Sequence, residues 1–353
     1  AKMYDFTSLR ERIPGISRAL AVGIPAGFLF DWLNTPIPWM IGPLIAVAAV
    51  NLFGISVYAL PYARQTGQVI LGSAVALYFT PTVVAALGAN FGAIVISTAS
   101  AFMIGGLGAI ILSRVSGIDG KSSFFASIPG GAMAMATLAE RFGASIPPVA
   151  VAHSLRVSLV IIIVPFAVTY GGIPLDAAAF RPQIPLNVMI LIPWLAVGFA
   201  IGEISERLGL ANGYLLTPIF FGAALTLSGV ELSAVPHWMT DIAQLMFGLV
   251  LGARYERAFF IRYKLFIPFA FINSFFILVT SALLAVALSW LFGLPIATML
   301  ISTAPGGLAE MTITAQALKV GVPLVVAFHL FRVLMINLVT PYLFGLGVRL
   351  RRR

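Results

Sequence analysis

The sequence predicts an all-α polytopic membrane protein: two inverted-topology repeats, each of five TM helices plus one re-entrant helical hairpin, giving 10 TM and 2 re-entrant segments. Three observations predict it. Of 353 residues, 60% are hydrophobic and 9% are charged, against about 25% charged in ordinary soluble domains. The second half repeats the first, and Lys and Arg gather on one side of the predicted spans.

The composition argues against a water-soluble enzyme. Cys is absent and His occurs 3 times, which removes disulfides, zinc fingers and thiol chemistry. No cofactor is implied. The formal charge of +9 does not suggest nucleic acid, because the cations sit between apolar runs rather than over a solvated face.

About 20 residues of helix cross the hydrocarbon layer. Candidate spans in the first half lie near 17–33, 38–54, 66–80, 91–112 and 147–169, and in the second near 187–205, 214–230, 240–253, 266–291 and 323–345. One further apolar segment per half, 122–142 and 298–319, is interrupted near its start by Pro-Gly-Gly. Arg10, Arg12 and Arg18 precede the first span, but Asp31, Trp32, Leu33 and Asn34 follow it where a signal peptide would carry small residues. The expected organisation is a cytoplasmic lead-in at 1–15, a first repeat at 16–170, a connecting loop at 171–186, a second repeat at 187–348 and a basic cytoplasmic tail at 349–353.

An offset of 176 aligns 127–166 with 303–342 without a gap. It pairs Pro129, Gly130 and Gly131 with Pro305, Gly306 and Gly307, and Met135 with Met311. It also pairs Pro147 with Pro323, His153 with His329, Arg156 with Arg332 and Pro165 with Pro341. Earlier matches include Gln68 with Gln244 and Gly72 with Gly248. If the Pro-Gly-Gly segments re-enter, 17 of the 21 Lys and Arg fall on the cytoplasmic side; if they cross fully, the split becomes 12 against 7. The positive-inside rule selects the first arrangement, which makes the halves inverted and puts both termini in the cytoplasm.

Inverted repeats with paired broken helices are a recurring plan of secondary transporters. Pro removes a backbone donor, Gly lets the chain turn, and N–H groups at a new helix start can hold an anion. Close helix packing is the competing use of these glycines. Arg156 and Arg332 lie nine residues beyond Pro147 and Pro323, about 14 Å along a helix, where a charge costs several kcal/mol unless it faces a polar interior. They are candidate substrate ligands with Pro129, Gly130, Gly131, His153, Pro305, Gly306, Gly307 and His329. The alternative is that each Arg satisfies free carbonyls of a broken helix and locks its hairpin.

Glu310 is the carboxylate close to a break, and its counterpart in the first half is Ala134. With Thr303 and Thr312 it is a candidate site for a coupling ion, Na⁺ or H⁺. A salt bridge to Arg156 or Arg332 is the competing use.

At these residues the chain resembles the AbrB family of bacterial inner-membrane proteins, whose members are sometimes labelled ammonia monooxygenases or regulators. The resemblance rests on Pro-Trp-Met-Ile-Gly-Pro at 38–43, Ser-Ile-Pro-Gly-Gly at 127–131, the His-X-X-Arg elements at 153–156 and 329–332, and the duplicated layout. It implies a multi-pass protein of the bacterial inner membrane and supplies no substrate. Copper or iron would need convergent ligands, whereas His153, His237 and His329 stand on separate segments, and the spans hold no soluble DNA-reading module.

The expected function is a secondary transporter of a small organic anion, a carboxylate or phosphate, moving in elevator fashion and coupled to a cation. Its partners are then the small anionic substrate, membrane lipid and, for a scaffold of this kind, a second copy in a homodimer. Two alternatives stay open: a flippase for an anionic lipid head group, and a non-transporting membrane receptor or regulatory subunit. No nucleophile and base stand at a catalytic spacing, so the chain is read as a non-enzyme.

Overall fold

The computed structural model describes residues 6–174, 184–210 and 212–350. Lys2, Arg181, Arg351 to Arg353 and the middle of the connecting loop lie outside the described residues. The first half forms α1 (Phe6–Trp32), α2 (Pro38–Leu52), α3 (Ala63–Ala76), α4 (Pro81–Ala89), α5 (Phe91–Val115), α6 (Gly120–Ser127), α7 (Ala132–Arg141) and α8 (Ile146–Tyr170). The second forms α9 (Val188–Arg207), α10 (Gly213–Leu227), α11 (His237–Gly252), α12 (Arg257–Arg262), α13 (Ile267–Phe292), α14 (Ile296–Thr303), α15 (Leu308–Ala317) and α16 (Val322–Leu350). No strand occurs among the described residues.

The duplication is visible in the helix boundaries. The starts of α4, α5, α6, α7 and α8 recur 176 residues later as the starts of α12, α13, α14, α15 and α16. Every expected span corresponds to a helix, and each Pro-Gly-Gly interrupts a helical segment after its first eight residues. The lead-in differs from expectation: α1 already begins at Phe6 and runs unbroken into the first span.

Six of the described helices are long and apolar enough to cross a membrane, and α3 with α4, bent by 95°, would make a seventh. The shortfall from ten comes from helix length. With 15 residues each, α2 and α10 reach about 22 Å, short of the roughly 30 Å hydrocarbon layer. Surface composition carries the membrane assignment instead. In α13 only 28% of the most apolar stretch is buried, and Leu283, Val286 and Trp290 stand exposed. An apolar surface that size needs lipid or a partner to cover it.

The chain divides into two compact units that interleave the halves. Unit 1 comprises 1–86, 177–259 and 312–323; unit 2 comprises 87–176, 260–311 and 324–353. In unit 1, α2 packs on α1 and α11, while α3 packs on α10 and α11. Glycine permits the two closest crossings. A Cβ at Gly72 would lie 2.6 Å from the Leu215 carbonyl oxygen, and one at Gly248 would lie 2.6 Å from that of Met40. In unit 2, α5 packs on α6 and α13, and α8 packs on α6, α7 and α13.

Gly248→Val should cost about 1–3 kcal/mol through forced separation of α11 from α2, read as a lower unfolding midpoint in detergent. Gly88→Ala is the control, since a Cβ there meets nothing within 4 Å; an equal loss in both variants would contradict the close-crossing argument.

Candidate functional site

The two breaks lie in unit 2, and each is built the same way. Asp119 caps α6, its carboxylate accepting from the backbone N–H of Lys121 and Ser122. The helix stops when Ile128 turns extended (φ −60°, ψ 128°) ahead of Pro129, and α7 restarts after an extended Gly131. A short helix that ends inside the protein leaves its last carbonyls without amide partners.

Arg156 of α8 supplies those partners. It is 2% exposed. Its Nη1 donates to the carbonyl oxygens of Ala126 (3.3 Å) and Ser127 (3.1 Å), and its Nη2 to that of Ile128 (3.4 Å). Nη2 also donates to His153 Nδ1 at 2.9 Å. A guanidinium can only donate, so Nδ1 accepts and the proton belongs on Nε2, which gives it to the Phe125 carbonyl at 2.9 Å. His153 is thereby fixed as one neutral tautomer that orients the Arg.

The second break repeats the device with different bonds. Ala304 turns extended after α14. Arg332, 3% exposed, donates through Nη1 to the carbonyls of Thr303 (3.5 Å) and Ala304 (2.7 Å) and through Nη2 to that of Gly306 (2.7 Å). His329 does not repeat the role of His153. Its Nδ1 donates to the Val325 carbonyl one turn back at 3.1 Å, and its Nε2 is buried without a hydrogen-bond partner. The Nε of each guanidinium is buried without a hydrogen-bond partner.

Each break gathers its own set: Arg156 and His153 at the first Pro-Gly-Gly turn, and Arg332 at the second, with His329 one turn before it on α16. One expected anion donor is already spent, since Gly130 N–H turns back to Ile128 O at 2.8 Å. The three residues expected to hold a cation are not gathered in the same way. The Thr303 hydroxyl is engaged with the Ser281 and Met299 carbonyls, both at 3.0 Å. Glu310 folds back over its own helix start, so close that a Cβ at Gly307 would overlap its carboxylate. Thr312 is fully buried and, two positions from Glu310, faces another side of α15.

Three contributors escaped the sequence reading as site residues. The Met135 and Met311 side chains cover Gly130 and Gly306, where a Cβ would come within 2.8 and 2.9 Å of them. Their identity across the repeat was the available signal. Asn273 of α13 donates Nδ2 to the Ser127 hydroxyl at 2.9 Å, tying the first break to the second half. Its counterpart is Ser97, so the repeat gives no hint of it.

The family model described as "Transition state regulatory protein AbrB" matches residues 39–347, which include both breaks and both Arg residues. The chain belongs to the AbrB family. Relatives in that family include "Putative regulator AbrB" of Escherichia coli (strain K12), 26% identical over 93% of this chain and 94% of its own length. The "Uncharacterized protein YhjN" of Bacillus subtilis (strain 168) is 26% identical over 91% of this chain and 90% of its own length. The AbrB similarity thus covers the duplicated membrane helices themselves.

Arg332→Met should strand the Ala304 and Gly306 carbonyls at a cost of about 3 kcal/mol or more. Hydrogen exchange should then rise across 304–311 while α1 and α2 stay protected; unchanged exchange at the break would remove the stapling role. At the first hairpin, burial alone would raise the Asp119 carboxyl, but hydrogen bonds from Ser122 and Lys121 hold it below the usual carboxylate range. Its stabilisation is therefore full above the unfolded value near pH 4 and fades as pH falls through the lower folded value. Asp119→Asn keeps the cap and should abolish that acid-side opening of α6, followed by exchange at Lys121 and Ser122.

Proposed function

We propose that this AbrB-family protein is a secondary transporter that carries a small organic anion across the bacterial inner membrane, with both termini cytoplasmic. The observation that carries the reading is the pair of duplicated, stapled helix breaks within one unit. Irregular backbone at membrane depth persists only where protein or a water-filled cavity covers it, and paired breaks of this sort line the sites of inverted-repeat transporters. That last step is a fold-level analogy.

The first hairpin supports re-entry on its own geometry. Lys121, at the start of α6, donates Nζ to the Phe142 carbonyl just beyond α7 at 3.2 Å, and Ser145 N–H donates to Ser122 Oγ at 2.8 Å. The two legs begin and end side by side, as in a segment that returns to the leaflet it left. Applied to both halves, this gives ten spans and opposite topologies. In this reading Arg156 and Arg332 are positioning residues that hold the breaks in shape. Glu310 senses the coupling Na⁺ or H⁺.

A second reading is a membrane-embedded regulatory subunit. It is favoured by the engagement of both guanidinium groups with carbonyls, and by the printed name of the Escherichia coli relative. Proteoliposomes separate the two. Labelled lactate, succinate and phosphate should enter wild-type vesicles in a gradient-dependent way, at least tenfold above empty vesicles for one of them, and Glu310→Gln should remove the gradient dependence. Absence of uptake for all three under both Na⁺ and H⁺ gradients leaves the regulatory reading. The chain has no native Cys, so labelling of Cys introduced at 181 only from the cytoplasmic side would sink the inverted topology.

A further inference from the structure

Unit 1 carries a partly open pocket of about 180 Å³ bordered by α3, α11 and α15, and none of its lining residues belongs to a Pro-Gly-Gly turn. Its polar walls are Tyr78, His237, Thr240, Gln244, Gln316 and Lys319. The rest of the lining is aliphatic, including Leu71 and Ile313. Two of these residues depart from the internal symmetry in ways that packing does not explain.

The first is Gln244. It is 4% exposed, and its Oε1 has no hydrogen-bond partner. Its duplicate, Gln68, donates Nε2 to Asn212 Oδ1 at 3.3 Å. The first-half position equivalent to Asn212 is Ile37, ahead of α2 as Asn212 is ahead of α10, and an isoleucine offers no such bond. A buried amide oxygen left unpaired is costly, and a donor on a ligand would satisfy it.

The second is Lys319. At the end of α15, Lys319 N–H donates to Gln316 O (3.2 Å) and Val320 N–H to Ala315 O (3.0 Å), a Schellman closure with its left-handed residue at Lys319 (φ 57°). The first half closes α7 with the same pair of bonds, using Gly143 (φ 67°) as the left-handed residue. Glycine takes that conformation freely, whereas lysine is strained in it. Strain kept at one copy of a duplicated turn, beside a cavity, is a mark of use.

We propose that this cavity binds a small monocarboxylate carrying one further hydrogen-bonding group. Lys319, exposed at the mouth, is the single Lys or Arg of the lining, so it balances one negative charge. Asp241, the neighbouring carboxylate on α11, is turned toward His237 at 3.7 Å and is not part of the lining. The amides of Gln244 and Gln316 then address the second group, and the aliphatic wall takes the carbon chain. Thr240, whose hydroxyl already donates to the His237 carbonyl at 2.7 Å, is left only to accept. A cavity of about 150 Å³ holds benzene, which sets the ligand at roughly six to ten non-hydrogen atoms.

The test uses the full chain purified in detergent, with lactate as the probe and thermal unfolding and titration as readouts. Wild type should gain thermal stability with lactate and none with methylammonium. Lys319→Gly should raise the ligand-free midpoint by releasing strain while abolishing the lactate gain, and Gln244→Leu should weaken lactate binding at least tenfold. Lys319→Met, which keeps the strained backbone and loses the charge, should also abolish the gain. No lactate gain in wild type, an equal gain with methylammonium or inorganic phosphate, or a full gain in Lys319→Gly each overturns the proposal. The pocket stands apart from the transport reading: a lactate gain in protein whose vesicles take up nothing keeps the pocket and removes transport. Uptake without a lactate gain does the reverse.

Discussion

The unit that holds the breaks depends on one constraint: a helix that stops inside an apolar body leaves carbonyl oxygens that neither an amide nor water will satisfy. In each half an arginine answers it. The guanidinium offers several donors in a rigid plane, which suits three carbonyls at once in a way an ammonium does not. Its charge also meets the negative ends of two short helices, α6 and α14, where a cation is stabilised. Each arginine stands 26 to 30 residues beyond the carbonyls it holds. The start of the helix that follows a hairpin therefore fixes the hairpin itself.

Around that shared frame the halves have diverged. His153 bridges Arg156 to Phe125, while His329 bonds back to its own helix. Ala134 has become Glu310, Gly143 has become Lys319, and the partner of Gln68 has no equivalent for Gln244. In these departures the charge or the unpaired oxygen lies in the second half, whereas Asp119, Lys121, Glu140 and Arg141 of the first are matched by Pro295, Ala297, Gln316 and Ala317. A duplicated scaffold supplies its own reference, because each departure can be weighed against a copy that lacks it.

Much of this was legible in the sequence, and for a physical reason. Apolar runs bounded by Pro and Gly fix helices locally, so the segments from 38–54 to 323–345 and the interruptions after Pro129 and Pro305 could be placed. The guanidinium role was legible only as one of two uses, since depth in a helix says that Arg156 needs polar partners and not which ones. Long-range packing was not legible. Nothing local in Gly72 or Gly248 reveals a carbonyl 2.6 Å from the missing Cβ, and no pattern along the chain shows that α15 divides between the two units. The left-handed Lys319 was hidden because propensity argues against it.

The reach of each contact also bears on ancestry. Both arginine staples close within a single half, so a single-length forerunner already had what it needed to shape its own kink. The Gly72 and Gly248 crossings and the bond from Asn273 to Ser127 instead join one half to the other. A half on its own could therefore shape its kink but would lack every one of these crossings.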